Sequence, residues 1–238
     1  MAMSLLHPPV LQSSTKEYLW ERGGHEDDWT ALGLATFDHT ILTPTENFNA
    51  QFKRPQDMDG RLVIPHHAPS GDVVRWEFRD IVNKDVNKHT LDKAEWTPSF
   101  IGLPLAVEAF QSYTSSTVWL VEGLFDLFAL RWLLRDHPRH VVLATGTAKL
   151  SSTQARFLTR VRPFLVNVVF DQDQPGHNGT HGYIDPTGKK VWGALSKLER
   201  EGIHCRALAY AERKGDDPGL LWDRGGRALI EKQLGPYI

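Results

Sequence analysis

The sequence predicts an α/β protein: a mixed α+β subdomain over residues 1–115, then an α/β domain with a mainly parallel sheet over residues 116–238. Three observations carry this. Short apolar runs at 118–121, 141–144, 166–170 and 203–209 alternate with helical segments at 123–135, 152–162 and 190–201. That alternation is the pattern of parallel strands joined by covering helices. Upstream, "GRLVIPHHAPSGDVVRWEFRDI" (60–81) reads instead as two β-rich runs closed by a Pro69-Ser70-Gly71 turn, a hairpin. Lastly, a content of 41% hydrophobic residues, with eight Trp and eleven Phe, suffices to build globular cores.

Taken in order, "TKEYLWERGGHEDDWTALGLA" (15–35) gives two short helices broken at Gly23-Gly24. After the hairpin, residues 83–99 are polar, carry Lys84, Lys88 and Lys93, and show no clear periodicity. "TSST" (114–117) marks the junction between the halves. Beyond it, Ser151 followed by Gln154 forms a capping box that opens the helix at 152. No internal repeat or low-complexity tract is present.

Composition narrows the class. No window has the apolar length of a membrane span, and the N-terminus lacks the basic start and apolar stretch of a signal peptide. Cys205 is the single cysteine, which excludes an internal disulfide and a multi-cysteine zinc site. A soluble, cytoplasmic protein of a reducing compartment is expected. Residues 1–115 carry ten Lys/Arg against sixteen Asp/Glu, and residues 116–238 seventeen against thirteen. Within 131–162 seven basic residues face one acid, Asp136. Such a stretch suits phosphate contacts, and suits equally the solvated faces of two helices.

The apolar segment "VWLVEGLFDLFALRWLL" (118–134) nonetheless holds Glu122 and Asp126. Sites in open parallel sheets form beyond the carboxyl ends of strands, and Glu122 follows the strand at 118–121 directly. Asp126 lies one helical turn on and faces the same way. The strand "VNVVF" ends in "DQDQPG", which puts Asp171 and Asp173 at a second strand end. If the strand continues past Phe170, these two point the same way. So many acids repel one another unless cations intervene, and hard oxygen ligands suit Mg²⁺. The plainer readings are a dipole-favoured first-turn residue for Asp126 and a polar turn for the second motif.

In this order, "VEGLFD" and "DQDQPG" resemble the TOPRIM signature, which is found in DnaG-type primases, topoisomerases and some nucleases. "LATGTAKLSSTQARFL" (143–158) resembles the Gly-Thr-Ala segment that primases carry between the two motifs, and "KGDDPGLLWDRGG" (214–226) their later Asp-Pro motif. "EYLWERGGHEDDWTALGLA" (17–35), the hairpin and "EWTPSFIGLPLAVEAF" (95–110) are similar to the upstream pieces of a DnaG-type catalytic core. The segments keep family order over residues 15–226, which sets the chain apart from topoisomerases. Departures are the absence of the zinc-binding and helicase-binding modules, and Gly219 where the family usually has a second acid, leaving Asp217 with Asp216 as substitute. An insertion, "HNGTHGYIDPTGKK" (177–190), reads as a flexible loop in which a structural metal at His177 and His181 is not expected.

The resemblance implies a primase that makes short primers on single-stranded DNA by metal-dependent nucleotidyl transfer, for a phage, plasmid or other mobile element. Glu122, Asp171 and Asp173 would be catalytic. The metal, Mg²⁺ or Mn²⁺ and not zinc, would be held by these with Asp126 and Asp217. Arg61, Arg75, Arg79, Lys88, Lys93, Lys149 and Arg156 would contact template or nucleotide. Trp76 and Trp96 are assigned to core rather than to base stacking. Nucleoside triphosphates and a single-stranded template are the implied partners, with a separate helicase or template-binding protein and no membrane. Two alternatives stay open: a TOPRIM nuclease or nucleic-acid-binding accessory factor, and a haloacid-dehalogenase-like phosphatase that uses Asp171 as nucleophile.

Overall fold

The computed structural model describes residues 10–40, 55–82, 89–92, 98–113, 115–210 and 213–238, with backbone alone for 55, 56 and 89–92. Helices α1 (Ser13–Glu21) and α2 (Glu26–Leu32) are separated at Gly23 and Gly24, as the sequence predicts. The break is also a tight contact. A Cβ on Gly24 would lie 2.5 Å from Trp29 Nε1 and 2.9 Å from the Leu19 carbonyl oxygen.

An antiparallel sheet follows, ordered β1 (Ala35–Thr36), β2 (Leu62–His67), β3 (Val73–Arg79), β4 (His89–Asp92). Strands β2 and β3 are the predicted hairpin, paired Leu62 with Arg79 and Ile64 with Glu77, with a register shift between His66 and His67. Strand β4 falls in the polar stretch where no periodicity shows. Trp76 is buried with Phe37, Val63 and Phe78 against one face of this sheet, a core position as expected. Trp96 lies outside the described residues.

Helix α3 (Leu103–Ser112) leads into the second sheet, which is parallel throughout. Its order is β10 (Cys205–Ala207), β7 (Leu165–Val168), β5 (Thr117–Val121), β6 (His140–Ala144). Five helices accompany it: α4 (Leu124–Leu134), α5 (Ser152–Val161), α6 (Gln174–His181), α7 (Ala194–Arg200) and α8 (Pro218–Leu234). Ser151 caps α5, accepting the Gln154 amide while its own amide donates to Gln154 Oε1. Helix α4 is apolar nearly all round, and nine of its eleven residues are buried. A helix of that kind needs cover on several sides, which here comes from α8, β6 and the first half of the chain.

Two expectations are corrected. Residues 177–190 do not form a flexible loop: α6 runs through His181, and β8 (Gly182–Ile184) pairs antiparallel with β9 (Lys190–Trp192). The helix expected from residue 190 begins only at Ala194, because β9 takes the first part of that segment. In addition, β7 stops at Val168, before Phe170.

One of the apolar clusters spans both sheets. Leu19, Trp29, Leu62 and Ile64 from the first half pack in the same cluster as Phe128, Leu130 and Val142 from the second. Ile101 and Ala144 exchange backbone hydrogen bonds at 3.0 and 2.9 Å across the junction. Among the described residues no helix is long and apolar enough to cross a membrane.

Candidate active site

Glu122 follows β5 directly, and its Oε1 accepts the Asp171 amide at 3.1 Å. The first acidic motif therefore ties the end of β5 to the segment that leaves β7. Gly123 follows in extended conformation as the N-cap of α4, and its amide donates to Asp126 Oδ2 at 2.9 Å. The other Asp126 oxygen accepts the Gly219 amide at 3.1 Å, from the first turn of α8. Gly219 thus supplies a backbone donor to Asp126. The loop before α8 is pinned by the Gln172 amide on the Asp216 carbonyl (2.8 Å) and the Gly215 amide on the Gln172 carbonyl (2.7 Å).

These contacts bring carboxylates from three elements together. Ligand oxygens of Asp126, Asp171 and Asp217 lie within 4.8 Å of one another. Burial pushes the Asp126 carboxyl well above the usual carboxylate range, and the Asp217 and Asp171 charges add to this against the two amides. Asp217, N-cap of α8, is raised by burial too. The Leu220 amide, a hydrogen bond with Asp126, and the Arg22 and Arg79 charges act the other way. Buried carboxylates in such a group need a proton or a cation between them. The donor set is all hard oxygen, so a divalent cation of the Mg²⁺ or Mn²⁺ kind fits.

Other sequence-selected residues take different places. The backbone turns out of β7 before Asp173, which becomes the N-cap of α6 and accepts the Gly176 amide at 2.7 Å. It stands outside the three-acid group, and with Asp171 lines a cavity of about 470 Å³ that also holds His177, His181 and Lys214. Asp216 is buried and paired to Arg224 at 2.8 Å, which leaves Asp217 to face the acids. The Arg79 guanidinium sits 4.5 Å from the Phe125 ring centroid and close enough to Asp217 to act on its titration. Arg61 is largely buried and lies 3.6 Å from Asp80. Arg75 is half-buried on β3, while Lys149 and Arg156 are exposed after β6 and on α5. Lys88 and Lys93 lie outside the described residues.

Sequence reasoning missed Arg22. It pairs with Asp223 on α8 and covers the Phe125 ring at 4.7 Å, opposite in sequence but adjacent in space to Arg79. Its one signal was position in the "ERGG" segment. Tyr210 was missed as well: fully buried under the acids, it donates to the Phe170 carbonyl at 3.1 Å and so shapes the turn that carries Asp171.

The fold, a hairpin-containing antiparallel sheet beside a parallel sheet, is shared with solved proteins. The Aquifex aeolicus primase structure, comprising zinc-binding and RNA polymerase domains, superposes with TM-score 0.63 at 20% identity, over 94% of this chain and 56% of that one. A DnaG primase catalytic domain bound to ssDNA gives 0.61 at 18% identity, over 99% and 74%. The chain has the fold of a DnaG-type primase catalytic core. A DNA primase domain from Pseudomonas aeruginosa gives 0.59 at 20% identity, over 99% of this chain and 77% of that one. The chain spans a little over half the length of the Aquifex structure. No protein-family model matches it, and no curated protein matches it in sequence.

Proposed function

We propose that the chain is a primase catalytic core, a nucleotidyltransferase that joins nucleotides on a single-stranded DNA template. One observation carries the reading: carboxylates from β5–α4, the β7 exit and the α8 cap converge at the carboxyl edge of a parallel sheet, with Arg79 of the hairpin beside them. Primase cores of this fold supply the reaction class, and the acids supply a place for it.

Asp126, Asp171 and Asp217 would hold the divalent cation, and Asp173, which lines the cavity next to Asp171, would share a second one. When bound, the cation would supply positive charge to the attacking hydroxyl and to the leaving pyrophosphate. The chain's own groups do the rest. Glu122 holds the Asp171 backbone and keeps the carboxylate aimed at its neighbours. The Gly123 and Gly219 amides fix both oxygens of Asp126, so the acid is oriented before any substrate arrives. Arg79 and Arg22, held against Phe125, present positive charge to phosphate oxygens on the hairpin side. Template and triphosphate would meet between hairpin and acids, where positioning supplies much of the rate. Mg²⁺ and a helicase or template-binding partner belong to this proposal.

The test is primer synthesis on mixed-sequence single-stranded DNA with labelled nucleotides and Mg²⁺ or Mn²⁺. Wild-type product, lost in Glu122→Gln and Asp171→Asn, is the expected result. Template degradation lost in the same variants would assign the acids to a nuclease. The phosphatase alternative does not account for Glu122 tying the two strand ends together, and hydrolysis of small phosphoesters is not expected.

A further inference from the structure

We propose that the β8–β9 hairpin, with α7 and the loop after β6, forms a separate patch that grips single-stranded DNA by stacking a base and holding its phosphates. Trp192 at the end of β9 is 41% exposed, unusual for a tryptophan. Lys190 Nζ lies 4.1 Å from its ring centroid and the Arg200 guanidinium 5.3 Å. Beside the ring is a cavity of about 250 Å³ whose walls include Tyr183, Trp192, Lys149 and Lys197 and contain no carboxylate. Lys197 is held at the cavity by its bond to the Leu150 carbonyl, 2.6 Å. Lys149 is near enough to lower its pKa further, beyond the lowering that burial produces. Two lysines kept together without an acid favour an anion between them. The nearest hairpin carboxylate, Asp185, accepts from the Thr187 hydroxyl and the Thr187 and Lys189 amides at the turn.

An apolar-walled cavity, two aromatic rings and a cationic rim are the parts of a single-strand binding surface. The patch is also placed for one. Helix α6 presents Asp173 at its start and His177 to the cavity beside the acids, and Pro175, Asn178 and Gly179 to the lysine cavity. One short helix therefore separates the two sites. Gly179 holds that helix against the Lys149 loop: a Cβ there would lie 1.8 Å from the Ala148 carbonyl oxygen. A strand leaving the acids over α6 would reach Lys149 and then Trp192. The choice of DNA as occupant rests on the reading of the chain as a primase core; the charge and ring arrangement does not.

The experiment is fluorescence anisotropy of the full chain with a labelled mixed-sequence single-stranded oligonucleotide, titrated at several salt concentrations. Trp192→Ala is expected to weaken binding about tenfold, the scale of one lost base–aromatic stack, with Trp192→Phe restoring most of it. Lys149→Gln with Lys190→Gln is expected to flatten the slope of log affinity against log salt by about 1.4, two contacts on a single strand. The lysines are exposed, so this pair tests the patch even where Trp192→Ala unfolds, which a thermal melt reports. Affinity and slope unchanged in the lysine pair and in a folded Trp192→Ala would overturn the proposal. So would ATP competing at the patch as well as the oligonucleotide does, which would make it a mononucleotide site, or an acidic peptide doing so, which would make it a protein-docking site. Patch-dependent binding by a wild type that makes no primer would keep this inference and sink primer synthesis. Primer synthesis with patch-independent binding would do the reverse.

Discussion

At Asp126 burial and neighbouring charge act together, and that fixes the sign of a pH effect. The Asp126 and Asp217 carboxyls are raised in the folded chain, so in the absence of metal the unfolded chain ionises first as pH climbs. Their contribution to stability is complete below about pH 4, the ordinary carboxylate value, and is lost as pH rises through the folded values. A divalent cation binds the ionised form and reverses the loss. Thermal melts in EDTA and in Mg²⁺ should coincide near pH 4 and diverge progressively toward neutrality, with the divergence small in Asp171→Asn. Curves that stay parallel would remove the acids as a metal site. For activity, Asp171→Asn should cost at least about a hundredfold in kcat, the scale of deleting one group that stabilises developing charge. Arg79→Ala should cost about tenfold or more in kcat/KM, with partial recovery in Arg79→Lys. The acids were legible because Glu-Gly after one apolar run and Asp-x-Asp after another place oxygen ligands at strand ends. What misled was period-2 reasoning at Asp173. Pro175 and Gly176 after it are helix-start residues, and the cap they announce turns the side chain to the Gly176 amide. Arg22 was not legible, since its contacts with Phe125 and Asp223 depend on helices far away in sequence.

Each element of the parallel sheet answers to a local pattern, but their lengths were settled by packing. The capping box at Ser151 is a local signal and formed as predicted. Ser151→Ala should cost about 1 kcal/mol in urea denaturation, the ordinary worth of a cap. Helix α4 sets the opposite case, since its stability comes from burial and not from its ends. Phe128 is fully buried there, and Phe128→Ala should cost about 3–5 kcal/mol with an unchanged denaturant slope. A loss below about 1 kcal/mol would mean that α4 does not anchor the core. The hairpin at 182–192 escaped prediction because "GYI" and "KVW" are too short to show a period. Its turn was written in the sequence all the same, as Asp185-Pro186-Thr187-Gly188. Strand β4 offered no such signal, and its pairing to β3 is a tertiary choice.

For the molecule as a whole, the boundary expected between residues 115 and 116 falls between the strands of the two sheets, and one apolar cluster spans it. A domain that folds alone needs its own apolar cluster. Here Leu19, Trp29, Leu62 and Ile64 share theirs with Phe125, Phe128 and Leu221, and the Trp222 indole donates to the Glu21 carbonyl at 3.1 Å. Cutting the chain at the junction would expose both sides of that cluster, and would also part Arg22 and Arg79 from Asp217. Unfolding should therefore be one transition. Far-ultraviolet dichroism, which follows the helices mostly of the second half, and tryptophan fluorescence, which follows Trp29 and Trp76 as well, should give coincident midpoints in urea. A Leu19→Ala substitution in α1 should then lower both midpoints together, although the residue lies outside the parallel-sheet half. Two separated midpoints, or a loss confined to one probe, would show that the hairpin half and the acid-bearing half are independent bodies. In that case the acid cluster would meet Arg22 and Arg79 only on binding substrate, and the positive charge beside Asp217 would have to be brought there by the template.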